Sequence, residues 1–310
     1  MFKKENNKTT NVYKCNTPAI KRQPENLDWV FRLPFFIFAA AFQAACPSSL
    51  KDKFCLPITH RGEKTVECPF TQTYKTAMPA PLLLADNSFD TARHSWADNE
   101  QRLIDCAQAA GCDAALVFCG EDGIVVPRSY RSKPGFDQAC ATLAADGLPV
   151  HVRLSGGGVV PQSPAVVNLY LARPLLSEQP VRDAEQQYLA LCALLERLFA
   201  EIGIATGYQA VAGSFCDGRF NLAAGGRKIA GTAQYWQRLR GTPNGYTALL
   251  SAVILAGDAA ALAGRANRFE AALGSDTHYR ADACTAAAEH AATDAAQLAA
   301  VLRRLLAEAA

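Results

Sequence analysis

Along the chain, apolar positions recur with two different periods, and each change of period marks an element. Residues 98–111 (DNEQRLIDCAQAAG) pass from a polar start through an apolar stripe to a glycine, which predicts a helix. DAALVFC at 113–119 is apolar without interruption and predicts a buried strand, and GIVVP at 123–127 predicts another. HVRLS at 151–155, the valines at 159–160 and AVVNLYLA at 165–172 add three short β segments separated by Gly and Pro. Over 181–202 the helical period returns, with Leu189, Leu191, Leu194, Leu195, Leu198 and Phe199 on the apolar face of a long amphipathic helix. FNLAA at 220–224, then 227–234 and 246–255, are strand-compatible. The Ala/Leu-rich end from 281 to 310 predicts one helix whose Arg303 and Arg304 lie near its C-terminus, where the dipole favours cations. Strands interleaved with helices predict an α+β or α/β domain of about 230 residues, near the upper size of a single core. No internal repeat is visible.

The stretch before this domain differs in kind. Residues 1–28 are polar, rich in Asn and Lys and aperiodic, a composition that buries too little surface to fold alone, so disorder is expected there. The apolar run at 33–45 is too short to span a bilayer and is broken early by Pro34. Small residues precede Cys46 as in a lipoprotein cleavage site. Yet the run starts more than thirty residues in, and Gln43 stands where such sites take an aliphatic side chain. Residues 1–77 are therefore read as a disordered or non-native extension, with Met78 as the start of the working protein and 78–310 as its folded domain. Composition changes at the same point. The first 77 residues hold nine of the eleven lysines and 12 basic against 6 acidic side chains; the remainder holds 2 lysines, 17 arginines and 19 basic against 23 acidic side chains. That mildly acidic balance argues against nucleic acid as a partner, and no segment argues for a membrane.

The eleven cysteines are odd in number and lack CxxC pairs, so neither a disulfide framework nor a metal site is expected, and a reducing, cytoplasmic compartment is. Cys106, Cys112, Cys140, Cys192 and Cys284 stand in helix-like apolar surroundings and read as buried small hydrophobes.

Two segments stand out as carriers of chemistry. RLSGGGVV at 153–160 ends a strand with three glycines, which let a ligand approach the backbone N–H groups, beside the fixed charge of Arg153. A glycine run is also simply a turn, and no GK[ST] follows that would make it a Walker loop. The second segment spans 213–234 and contains SFCDGRFNL and GRKIAGTAQ. In a domain that otherwise uses arginine, Lys228 suggests a task for a compact, tunable ammonium, the alternative being a solvated strand-end lysine. Cys216 lies in a Gly-rich polar loop unlike the settings of the other cysteines, where a neighbouring ammonium would raise its thiolate fraction. A lone cysteine is otherwise structural.

Taken together, RLSGGGVV at 153–160 and GRKIAGTAQ at 226–234, about seventy residues apart, resemble the paired motifs of the biotin/lipoate protein ligase superfamily, on its lipoate side. The resemblance covers most of residues 78–310. It implies an α+β catalytic domain of the class II synthetase-like kind, a mixed sheet packed with helices, holding a fatty-acyl chain in an apolar tunnel. Lys228 would face the acyl carbonyl. The acyl or ligand-binding set would be Arg153, Ser155, Gly156, Gly157 and Gly158 of the loop, Asn168 of the following strand, and Gly231, Thr232 and Ala233. SFCDGRFNL, with Cys216 twelve residues before Lys228, resembles the SFCPGxYDL string of amidotransferases that move octanoate from the glycine-cleavage H protein, with Asp217 in place of proline. Where many ligases carry His-x-Asp, this chain has Pro161-Gln162-Ser163. Only 82 residues follow Lys228, which leaves no space for the accessory domain of long lipoate ligases.

The resemblance thus implies an octanoyl or lipoyl amidotransferase working through a Cys216 thioester. Lipoate or octanoate would be the transferred group. Its partners would be lipoyl-domain proteins such as the H protein or the E2 subunit of 2-oxoacid dehydrogenases. The rivals are an ATP- and Mg-dependent lipoate-protein ligase acting through lipoyl-AMP, and a non-catalytic lipoyl- or acyl-binding protein.

Overall fold

In the computed structural model, residues 88–308 are described, together with the backbone of residues 82–83. The expectations for residues 1–77, including the apolar run at 33–45, lie outside the described residues. The described chain is an α+β arrangement of two sheets and five α-helices. The larger sheet runs in the order β1-β2-β6-β10-β9-β8-β7, comprising β1 (Leu82–Leu83), β2 (Ala114–Cys119), β6 (Val166–Leu176), β7 (Gly207–Tyr208), β8 (Leu222–Ala224), β9 (Arg227–Arg238) and β10 (Gly245–Leu255). All its pairings are antiparallel except β1 with β2. The smaller sheet is β4 (Val150–Arg153), β3 (Gly123–Pro127) and β5 (Val160–Gln162), in the order β4-β3-β5.

The continuous apolar runs of β2, β6 and β10 follow from burial of both sheet faces. On one face Val117, Leu169, Leu171, Leu250 and Ile254 pack against Leu195, Leu198 and Phe199 of α3 (Pro180–Glu201) and Leu298, Leu302 and Leu305 of α5 (Ala295–Glu308). On the other, Leu116, Phe118, Tyr170 and Leu249 meet Trp96, Leu103, Ile104 and Ala107 of α1 (Trp96–Ala110). A third cluster joins the small sheet to α2 (Phe136–Ala145) and α4 (Ala259–Ala272) through Ile124, Val126, Phe136, Leu143, Leu262 and Phe269. Burying one leucine- or phenylalanine-sized side chain contributes about 1.5–3 kcal/mol, so these three contact sets carry the fold.

Helix α1 begins two residues earlier than the pattern predicts, because Ser95 caps it: its hydroxyl accepts the Asp98 N–H while the Asp98 carboxylate accepts the Ser95 N–H. The single helix expected over 281–310 is not formed. A 3₁₀ turn at Ala281–Ala283 leads into an extended piece in which Cys284 bridges Lys228 and the Thr285 N–H donates to the Lys228 carbonyl at 2.8 Å. A second short turn follows at Ala287–Glu289, and only at Asp294, whose carboxylate accepts the Gln297 N–H, does a helix start. The alanine content favours a helix throughout, but the open edge of β9 takes this segment for its hydrogen bonds. Cys284 is accordingly buried in an extended segment, Cys192 is buried in α3, and Cys106, Cys112 and Cys140 are half-buried.

Candidate active site

The glycine loop leaves β4 at Arg153 and returns into β5 at Val160. Arg153 is 4% exposed, and its guanidinium bonds mostly to the loop it starts. Nε donates to Ser155 Oγ at 3.1 Å, Nη1 to the Val125 carbonyl at 3.0 Å, and Nη2 to the carbonyls of Gly156 and Gly158 at 2.7 and 2.8 Å. Arg153, Ser155 and Gly156 thus shape the loop, and Arg153 also lines the cleft. From outside the loop, the buried carboxylate of Glu100 on α1 accepts the Leu154 N–H at 2.6 Å.

Loop shape matters because the Cys216 loop closes on it. The Gly158 N–H donates to Cys216 Sγ at 3.2 Å. A Cβ on Gly157 would lie 2.8 Å from Sγ, and one on Gly158 3.3 Å from the Cys216 Cα. Both positions therefore need glycine for close approach. Cys216 itself adopts φ +48°, a left-handed conformation that a side chain rarely takes without being held there. It is held: Lys228 Nζ and Asn221 Nδ2 both donate to its carbonyl, at 2.9 and 3.2 Å. Asp217 accepts the Val211 N–H at 2.7 Å, bracing the same loop.

Lys228 is placed by a hairpin. Ala224 pairs with Arg227 across Gly225-Gly226, both at positive φ (54° and 77°), the demand of a two-residue type I′ turn, and Lys228 follows at once on β9. Only 2% exposed, its ammonium donates to the Phe215 carbonyl at 2.6 Å as well as to that of Cys216. A Cβ on Gly231 would come within 3.0 Å of Nζ, so glycine there makes room for the amine. Burial pushes the ammonium below the ordinary lysine value, against the pull of the Cys216 thiol. Desolvation pushes the Cys216 thiol up, but the Lys228 ammonium, the Arg153 guanidinium and the Gly158 N–H together outweigh it, and the thiol lies below its ordinary value. Cys216 and Lys228 both line one cleft.

That cleft encloses about 470 Å³, counting the part open to solvent. Besides Arg153, Cys216, Lys228, Gly231, Thr232 and Ala233, its lining includes Trp96, Val125, Val160, Gln162, Tyr170, Phe215, Ser251 and Val253. Sheet register explains the arrangement. Gly231 and Ala233 of β9 sit opposite Val253 and Ser251 of β10, and Ser251 opposite Tyr170 of β6, so small residues on one strand leave room beside larger ones on the next. Trp96 Nε1 donates to the Tyr170 hydroxyl at 2.8 Å, which removes two polar groups from an otherwise apolar wall. Such a cleft suits a hydrocarbon chain with its carbonyl end at the Cys216–Lys228 pair.

The structure places Cys216, Lys228, Gly231 and Ala233 in the cleft lining, with Gly157 and Gly158 packed on Cys216. Asn168 stays out of the cleft lining: its amide exchanges two hydrogen bonds with the amide of Gln162, at 2.9 and 3.1 Å, and Gln162 faces the cleft instead. Thr232 lines the cleft, but its hydroxyl donates to the Phe220 carbonyl at 2.8 Å. Trp96, Tyr170, Phe215, Asn221 and Glu100 were not singled out by sequence. For Glu100 a signal existed, since it stands at the helical spacing of the buried Trp96, Leu103, Ile104 and Ala107, an acidic residue on an apolar stripe. Among the described residues no group of three or more His, Cys, Asp or Glu side chains is disposed to hold a metal ion, and no helix is long and apolar enough to cross a membrane.

A cysteine and a buried lysine thus line a largely apolar cleft beside the larger sheet. The profile of the family described as lipoyl protein ligase A/B catalytic domain matches residues 130–253. An uncharacterized protein of Cupriavidus necator is 41% identical over 193 residues, 59% of this chain and 76% of that one. Residues 130–253 thus belong to the lipoyl protein ligase A/B catalytic-domain family. Two enzymes named octanoyl-[GcvH]:protein N-octanoyltransferase are also similar. The one from Kyrpidia tusciae is 44% identical over 92 residues, 30% of this chain and 31% of its own length. The one from Geobacillus kaustophilus is 33% identical over 137 residues, 44% and 47%. The chain thus spans about a third to a half of the length of these octanoyltransferases. Among solved structures, lipoate-protein ligase A bound with ATP shares the fold with a TM-score of 0.53 at 14% identity, covering 75% of this chain and 85% of that one. The protein Ta0514 of T. acidophilum with bound lipoic acid gives 0.52 at 11%, with the same coverage.

Proposed function

We propose that this protein is a lipoylation enzyme that passes an octanoyl or lipoyl group through Cys216 to a lysine of a lipoyl domain. The observation that carries this reading is the Cys216 thiol, held below its ordinary value near Lys228 in the lining of the apolar cleft. The likeness to octanoyl-[GcvH]:protein N-octanoyltransferases supports the donor class, an acyl group in amide linkage to a carrier lysine.

In the first step the thiolate attacks the donor carbonyl; the C–S bond forms, the C–N bond breaks, and the carrier lysine leaves as an amine after gaining a proton. In the second, the acceptor lysine amine attacks the thioester; the new C–N bond forms, the proton is lost, and the thiolate is regenerated. Splitting amide exchange through a thioester is what a nucleophilic cysteine offers. Lys228 faces the carbonyl oxygen as negative charge develops on it, and its lowered ammonium value suits it to lend and recover the proton. Glycines 157 and 158 keep the backbone close enough to hold Sγ in line. The chemistry balances without nucleotide, so ATP and Mg have no part in this reading.

The test is incubation with octanoylated H protein and an unmodified lipoyl domain, with and without ATP, read by intact mass. The expected result is ATP-independent transfer and a hydroxylamine-labile acyl adduct on the enzyme, both abolished by Cys216→Ala. Undiminished transfer by Cys216→Ala with strict ATP dependence overturns the thioester reading in favour of ligation.

A further inference from the structure

We propose that Glu100 is a positioning residue for this site: its ionised carboxylate, reaching from α1 to the Leu154 N–H, sets the glycine loop against Cys216. This rests on the acyl-transfer reading and adds a residue lying outside the segment that the family profile matches.

The placement is unusual for a carboxylate. Glu100 has no exposed surface, and burying a carboxylate is costly unless it is paired or hydrogen-bonded. Oε2 takes the Leu154 N–H at 2.6 Å, and Leu154 lies between Arg153 and Ser155, the two residues whose side chains fold the loop. Loop residues Gly157 and Gly158 then touch Cys216. A shift at Leu154 is therefore passed to Sγ through a short, tightly packed path. Oε1 has no hydrogen-bond partner among the described residues. The groups facing the carboxyl are Arg153 from β4, Arg128 from the turn after β3, the Tyr170 hydroxyl from β6 and the Leu154 peptide. On its own helix, Trp96 binds the same Tyr170 hydroxyl, so Glu100 also lies behind the cleft wall. Desolvation raises the carboxyl to about 7 despite the Leu154 bond and the neighbouring charges, so its ionisation changes within the working range of pH. Below that point the carboxyl is neutral and holds the Leu154 N–H less strongly.

The experiment compares wild type, Glu100→Gln and Glu100→Ala between pH 5.5 and 8.5. One readout is transfer from octanoylated H protein, as kcat and KM; the other is alkylation of Cys216 by iodoacetamide, followed on the Cys216 peptide by mass. Glutamine keeps an acceptor for Leu154 but no charge, so it mimics the neutral carboxyl. The expected result is a kcat ratio of wild type to Glu100→Gln near one at low pH, rising on the order of tenfold at high pH with a midpoint near 7 and little change in KM for the acceptor domain. The alkylation ratio follows the same midpoint. Should Glu100→Ala fail to fold, the glutamine comparison stands by itself. A ratio that is flat across the pH range, for two folded proteins, overturns the proposal. If wild type transfers nothing, the acyl-transfer reading fails, and the alkylation ratio still decides on Glu100.

Discussion

Gly157→Ala tests the packing of the glycine loop on the nucleophile with a single methyl group. A Cβ at Gly157 falls 2.8 Å from Cys216 Sγ and 3.2 Å from Arg153 Nη2, and the residue sits at φ +102°. Ordinary non-bonded contact between such atoms is about 3.5–4.0 Å, so Sγ must retreat by roughly 1 Å. Alanine at this φ costs about 1–3 kcal/mol of backbone strain, and crowding of the thiol adds about 1–3 kcal/mol. A loss near 3 kcal/mol lowers Tm by about 6–12 °C in a domain of this size. A displaced Sγ also loses the Gly158 N–H and part of the Lys228 field, so the thiol titrates higher, and a misplacement of about 1 Å costs on the order of 100-fold in kcat. Thermal melting and the pH dependence of Cys216 alkylation measure the two effects separately. Gly156→Ala is the control, because its Cβ meets nothing within 4 Å. A Gly157→Ala protein that melts with wild type and keeps the wild-type alkylation midpoint would refute the claim that this contact organises the thiol.

Lys228→Met keeps much of the length of the side chain but leaves the buried carbonyls of Phe215 and Cys216 short of a donor; a loss of about 1–3 kcal/mol is expected in denaturant melts, together with a higher Cys216 titration midpoint. Lys228→Arg retains charge but must fit a planar fork beside Gly231, where an added Cβ would already lie 3.0 Å from Nζ, so loss of transfer and lowered Tm are expected rather than rescue. Stability should also carry a signature of Glu100. A carboxyl raised from 4.5 to about 7 in the folded state gives stability that is full below about 4.5 and is lost as pH rises through about 7, a change of about 3 kcal/mol. Glu100→Gln should therefore gain on wild type in Tm between pH 5 and pH 8; a constant difference across that range would show that this carboxyl does not titrate there.

How far the sequence carried depended on which interactions decide each feature. Periodicity located α1, α3 and most strands, because burial of one stripe or two faces is written in neighbouring residues. Cys216 and Lys228 were legible from their unusual settings and from motif resemblance. Other features needed three dimensions. The extended run at Cys284–Thr285 is selected by the edge of β9, more than fifty residues away, against a local preference for helix. Trp96 and Tyr170 carry no signal of their own in the sequence, and only the fold and their mutual hydrogen bond make them part of the cleft lining.

Arg153 and Lys228 show why a domain with 17 arginines after residue 77 keeps a lysine here. The planar guanidinium is committed in four directions to Ser155, Val125, Gly156 and Gly158, which suits a static brace. The ammonium of Lys228 makes two carbonyl bonds and retains a third N–H within the cleft lining. It is compact enough to sit beside Gly231, and its value responds to burial. Exchanging the two residue types would put a fork where a tunable proton is needed and a point charge where four acceptors wait in a plane. The double exchange should therefore fail even though net charge and composition are unchanged, and Cys216 alkylation would report that failure as a return of the thiol to ordinary behaviour.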